Sequence, residues 1–136
     1  HNMGVTQTAK EGVHLYTQYA VLYENAGFPD LSTLLDAIHG AGGKAVLAHP
    51  GYTLRALDEA EMEYSVRELI GRGLDGLECY YPLHDAQTVL SLYALCLEKN
   101  LLITAGSDCH GSFGHTRVGE MDIKLDQLRL NGLLDP

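Results

Sequence analysis

Basic residues are scarce in this chain: 9 Lys and Arg stand against 18 Asp and Glu in 136 residues, a formal net charge of −9. Nucleic-acid backbones are bound by clustered Lys and Arg, so nucleic acid is not the expected main partner. A small phosphorylated substrate stays open, because bound divalent cations can supply the positive charge that the side chains lack. Cysteine is scarce too. Cys79, Cys96 and Cys109 are odd in number and show no C-x-x-C spacing. That argues against a disulfide framework or a cysteine-type zinc finger, and for reduced thiols in a cytoplasmic protein. No apolar run reaches the roughly 18 residues of a membrane span. No basic region followed by an apolar stretch marks a secretory signal. Repeats, low-complexity tracts, a G-x-S-x-G elbow and a Walker loop are all missing. Ser107 has Asp108 and His110 for sequence neighbours, but adjacency is not the geometry of a serine triad.

What is present suits one domain over residues 3–136, with His1-Asn2 reading as a leftover expression segment. Val13, Tyr16, Tyr19, Ala20 and Tyr23 recur at helical spacing and predict a helix from about Thr8 to Ala26. Gly27 and Pro29 stop it. Asp30 or Ser32 should cap a second helix through Leu34, Leu35 and Ile38. Three short apolar runs then alternate with helical patterns. Strands are expected at Lys44–Ala48, Leu74–Tyr80 and Leu101–Ala105, and helices at Asp58–Gly71 and from Asp85 to about Asn100. This alternation is the signature of parallel βα units, an α/β class. A last short helix is expected near Leu125–Leu130.

The polar residues fall in one kind of place. His49 directly follows the first strand, Glu78 is near the end of the second with His84 beyond it, and Ser107, Asp108 and His110 follow the third. In parallel α/β architectures the carboxyl ends of strands share a rim, and sites are built there. In extended backbone, Asp108 and His110 would point the same way and face one metal or two neighbouring ones; a simple turn at Gly106-Ser107-Asp108 is the alternative. Pro50-Gly51 after His49 sets a sharp exit that would fix the imidazole at the rim. Its alternative is a histidine hydrogen-bonded within a loop. Glu78 sits in a strand that should be buried on both faces, and a buried carboxylate needs a partner, either behind a metal ligand or in an ion pair with Arg55 or Arg72. His84 and His115 lie in loops and could contact substrate or protonate a leaving group, or could be solvated. Arg55 and Arg117 could grip a phosphate or could be surface arginines. His14 and His39 lie in helices remote from the rim, and the Cys109 side chain should pack away from its neighbours.

Three segments resemble the PHP (polymerase and histidinol phosphatase) family. Ala41-Gly42-Gly43-Lys44-Ala45-Val46-Leu47-Ala48-His49-Pro50-Gly51 is similar to its A-H-P segment. Gly73-Leu74-Asp75-Gly76-Leu77-Glu78-Cys79-Tyr80-Tyr81 is similar to its G-I-E-V-Y-type strand, and Leu101 to Gly111 to its G-S-D-x-H-G motif. The resemblance covers residues 30–119 or so and leans to the small stand-alone phosphoesterase branch. It implies a distorted (β/α)7 TIM-like barrel, here only in part, with about three of its strands. It implies divalent metal ions (Mn, Zn, Fe or Mg, as many as three in a complete site), held on this chain by His49, Asp108 and His110. His84 and His115 would lie near substrate. The family's opening H-x-H motif has no counterpart in this sequence. The chain therefore looks like the C-terminal portion of such a domain, completed by a missing N-terminal half or by self-association. The expected function is metal-dependent phosphate-ester hydrolysis with this chain supplying part of the site. A non-catalytic metal-binding or assembly module, and an amidohydrolase-like C–N hydrolase, are the alternatives.

Overall fold

The sheet has three short strands, laid side by side in chain order. β1 (Val46–Leu47), β2 (Gly76–Tyr80) and β3 (Leu102–Ala105) pair in parallel, with Leu47 beside Leu77 and Leu77 beside Ile103. This computed structural model describes residues 4–19, 26–114, 116–131 and 133. The chain falls into two compact units, residues 1–34 and 35–136.

Helices join the strands as the apolar pattern requires. After α1 (Ala9–Gln18), helix α2 spans Leu31–Gly40; Asp30 accepts the Thr33 N–H at 3.1 Å at its start. α3 is one turn, Pro50–Thr53. α4 (Glu59–Gly71) opens on a reciprocal capping box, Asp58 accepting from the Glu61 N–H while Glu61 accepts from the Asp58 N–H. α5 (Ala86–Lys99) is capped by Asp85, which accepts the Thr88 N–H at 2.7 Å, and ends on Asn100 in the left-handed conformation.

Alternation along the strands decides where the core goes. Leu77, Cys79 and Ile103 turn to one face and meet Met62 and Val66 of α4 and Leu92, Leu95 and Cys96 of α5. Val66, Leu77, Cys79 and Cys96 are sealed from solvent. A side chain the size of Leu77, removed fully from water, contributes about 1.5–3 kcal/mol. Glu78, pointing to the other face, is half-buried. That corrects the expectation of a strand buried on both faces.

Three further expectations change. The first strand shrinks to two residues, because the Ala45 N–H donates to the Asp75 carboxylate at 2.9 Å and His49 turns left-handed (φ 30°). The last segment is a 3-10 turn at Leu125–Gln127 in place of a helix. Arg129 beyond it bridges antiparallel to Ile103, with both backbone hydrogen bonds at 2.9 and 3.1 Å. Of the first helix, expected from about Thr8 to Ala26, the described residues show Ala9–Gln18; of its expected apolar stripe, Tyr16 and Tyr19 are exposed, the side chain of Val13 is not described, and Ala20 and Tyr23 lie outside the described residues.

Candidate metal centre

The rim is organised from the central strand. Glu78, at the end of β2, reaches towards both neighbours. Its Oε2 accepts the His49 N–H from the end of β1 at 2.8 Å, and its Oε1 lies where a side chain on Gly106, at the end of β3, would begin. Glu78 thus fills a structural role behind His49. The expected ion pair with Arg55 or Arg72 is absent among the described residues; Arg55 instead lies over the Tyr52 ring at 4.2 Å.

A β-bulge sits beside this point. The register slips between Glu78 and Tyr80, so that Cys79 is the extra residue. The Cys79 carbonyl accepts His84 Nδ1–H at 2.9 Å, and His84 Nε2 accepts the Gly51 N–H at 3.1 Å. Both ring nitrogens of His84 are therefore engaged. The close approach requires glycine at position 51, since a Cβ there would come within 2.6 Å of Thr88 Cγ2 and 2.9 Å of His84 Cδ2. His84 straps α3 to the end of β2 and thereby holds the turn that begins at His49.

His49 and Asp108 converge, with Nε2 and Oδ2 3.9 Å apart. His49 Nδ1 is 3.0 Å from Thr53 Oγ1, one helical turn on. In the tautomer that donates Nδ1–H to Thr53, the Nε2 lone pair is directed to the side where Asp108 stands. Asp108 has φ 48°, so both residues adopt the left-handed backbone that non-glycine residues rarely take. Such strain persists where surrounding structure fixes it, and it concentrates at functional sites. The expectation of extended backbone through Asp108 is corrected by this turn. His110 is brought near by a different device: its Nδ1–H donates to the Asp108 carbonyl at 2.8 Å and lies 3.6 Å from Asp108 Oδ1. That bond fixes its tautomer and leaves Nε2 available. Thr116 Oγ1 also donates to the Asp108 carbonyl, at 3.2 Å. The Cys109 Sγ accepts the Gly111 N–H at 3.4 Å.

Tyr81, buried to 4% exposure, forms the floor. Its ring lies 5.1 Å from His49, 5.3 Å from His84 and 5.9 Å from Tyr52. Burial, and then the charge of Asp108, raise its phenol pKa, so it stays protonated. The sequence reading passed over Tyr81, Thr53 and Tyr52. Thr53 was findable as the residue one turn after His49, whereas the two tyrosines carry no spacing signal.

The donor set fits a divalent ion in part. With metal–ligand bonds of about 2.0–2.2 Å, two ligand atoms on one ion stand about 3–4 Å apart, the spacing that His49 and Asp108 show. No group of three or more His, Cys, Asp or Glu among the described residues is arranged to hold a metal. His115 lies outside the described residues.

His49, after β1, and Asp108, after β3, meet across the central strand at the carboxyl end of a parallel α/β sheet, where sites of this fold class are built. Comparison with known proteins narrows this. The chain is 32% identical over 105 residues to a phosphoribosyl 1,2-cyclic phosphate 1,2-diphosphodiesterase of Eggerthella lenta, covering 72% of this chain and 37% of that protein. It superposes on a crystal structure from Bifidobacterium adolescentis, described as that of a metal-dependent phosphoesterase, with a TM-score of 0.58 and 31% identity over 73% of this chain and 34% of the other. No family profile matches the chain. Together these likenesses support a PHP-like domain here, in a chain that spans only about a third of the length of those relatives.

Proposed function

We propose that this chain supplies part of the active site of a metal-dependent phosphoesterase acting on a small phosphorylated substrate. The observation that carries the reading is the convergence of His49 Nε2 and Asp108 Oδ2 at 3.9 Å, both on left-handed backbone. The relatives' described activities support it. His49 and Asp108 would hold the ion, and His110 Nε2 would be a further donor. When bound, a divalent ion (Mn, Zn, Fe or Mg) supplies an acidified water and offsets charge on the phosphoryl oxygens. Thr53 and Glu78 keep the His49 ring and backbone in place, and Tyr81 closes the floor against water. His115 remains the proposed proton donor to the leaving oxygen. His84 has both nitrogens committed and serves that role less well than it serves as a strap.

In this reading the remaining ligands come from outside the described residues or from a second copy of the chain, and the three-strand sheet is one sector of a TIM-like barrel. The free thiols of Cys79 and Cys96, 3.7 Å apart, suit a reducing cytoplasm. No helix among the described residues is long and apolar enough to cross a membrane.

Asp108→Asn is the test. It should lower Mn²⁺ affinity by at least about tenfold and abolish hydrolysis of phosphate esters, with the fold retained by circular dichroism. Full turnover in Asp108→Asn would refute the assignment. A second reading, a metal-binding or assembly module without catalysis, is favoured by the lack of a three-residue metal group among the described residues. Bound Mn²⁺ with no turnover of any ester would select it.

A further inference from the structure

Among the described residues some cations of this acidic chain pair with carboxylates, and others, Arg55 and Arg72 among them, do not. Lys44 pairs with Asp75, Arg67 with Glu63 and Glu98, and Lys99 with Glu98. Arg55 has no carboxylate partner among the described residues. Its position is nevertheless fixed. One Nη1 hydrogen donates to the Tyr52 carbonyl at 2.8 Å, and the guanidinium carbon lies 4.2 Å from the centre of the Tyr52 ring. That ring stands 6.0 Å from His49 and 5.9 Å from Tyr81. The guanidinium is therefore one aromatic ring removed from the ligand pair.

The surroundings explain why it stays uncommitted. Arg55 and Gly51 line a cleft of about 290 Å³ that also contains Asp58, Glu59 and Asp85. Each carboxylate has other partners. Asp58 and Asp85 cap α4 and α5, and Glu59 accepts from Gln87 and Ser91. The edge of Arg55 formed by Nε and Nη2 makes no hydrogen bond to the described residues. A planar two-donor edge matches two oxygens of a phosphate, and stacking on a ring lowers the ordering cost of presenting it. The carboxylates make the cleft itself a poor place for phosphate and a good one for hydroxyl or amine groups.

We propose that Arg55 receives the non-bridging oxygens of the phosphate ester, with the ester's hydroxyl-bearing body lying in the adjoining acidic cleft. This assignment rests on the phosphoesterase reading above. Calorimetric titration of inorganic phosphate into the 136-residue chain in Mn²⁺ buffer tests it, alongside a titration of Mn²⁺ alone. Arg55→Gln should weaken phosphate binding at least about tenfold and leave Mn²⁺ affinity within about twofold. Arg55→Lys should recover only part of the loss, since it restores the charge without the fork. Unchanged phosphate affinity in Arg55→Gln overturns the assignment. Parallel loss of phosphate and Mn²⁺ affinity also overturns it, and so does a wild-type chain that takes up no phosphate. Phosphate binding that depends on Arg55 in a chain that hydrolyses no ester would uphold this assignment and sink the catalytic reading, so the two failures are separable.

Discussion

Replacing Gly106 by alanine should damage the site through Glu78, not through Gly106 itself. A Cβ at position 106 would collide with Glu78 Oε1, the far end of a flexible side chain. The carboxylate can swing away, but its Oε2 then releases the His49 N–H that it holds at 2.8 Å. A hydrogen bond to a charged group contributes about 1.5–3 kcal/mol, and partial exposure of the rim places the expected cost near 2 kcal/mol. For a chain of this size that is a fall in melting temperature of roughly 5–10 °C. Glu78→Ala should cost about the same, because it removes the same bond. The decisive measurement is the double-mutant cycle, followed by thermal unfolding and Mn²⁺ titration. In the Glu78→Ala background, Gly106→Ala should cost less than about 0.5 kcal/mol, because the obstructed carboxylate is gone. Mn²⁺ affinity should fall in each single variant and fall little further in the double. Additive losses would refute the reasoning, since they would mean that the glycine is needed for something other than Glu78.

Three other outcomes follow from the geometry. Thr53→Val keeps the shape of the side chain but removes the partner of His49 Nδ1, so Mn²⁺ affinity should drop about 10- to 100-fold with little change in unfolding temperature; an unchanged affinity would remove Thr53 from the site. Gly51→Ala should destabilise the chain by about 1–3 kcal/mol in denaturant unfolding, because its Cβ meets Thr88 and His84 at 2.6 and 2.9 Å. Asp75 gives a pH test at the other end of the strands. Burial alone would raise its pKa, but the Ala45 N–H, Lys44 and His39 outweigh that and hold it at about 2, against 3.8 for an ordinary aspartate. A depressed folded-state pKa contributes stability that is fully present above the unfolded value and is lost as pH falls through the folded one. The stability gap between wild type and Asp75→Asn, about 1–2 kcal/mol after discounting for solvent screening, should therefore hold at pH 5 and close between about pH 4 and 2. A gap that is flat across that window would mean that the Asp75 charge contributes nothing.

The order of elements was legible because it rests on local signals. Apolar runs bounded by glycines gave the three strands, and Asp30, Asp58 and Asp85 marked helix starts, since a cap satisfies N–H groups only two or three residues away. The last segment misled for the opposite reason. Leu125–Leu130 has helical spacing, but pairing of Arg129 with Ile103 depends on a strand far back in the chain. The same holds for Tyr16 and Tyr19, whose spacing is helical although both are exposed.

For the site, the sequence by itself determined which residues are of a type suited to metal chemistry and that His49, Asp108 and His110 follow strands. Residue type and position in the chain are enough for that. Only the tertiary structure decided what those residues face. The parallel register sets the end of β1 beside Glu78, and the bulge at Cys79 gives His84 a carbonyl and commits both of its nitrogens. Left-handed turns at His49 and Asp108 bring Nε2 and Oδ2 to 3.9 Å. Apart from the His84–Cys79 bond, these distances arise from contacts between residues roughly 30 to 60 positions apart, and no local pattern encodes them, because the energy that fixes them belongs to the packed sheet and not to any one segment.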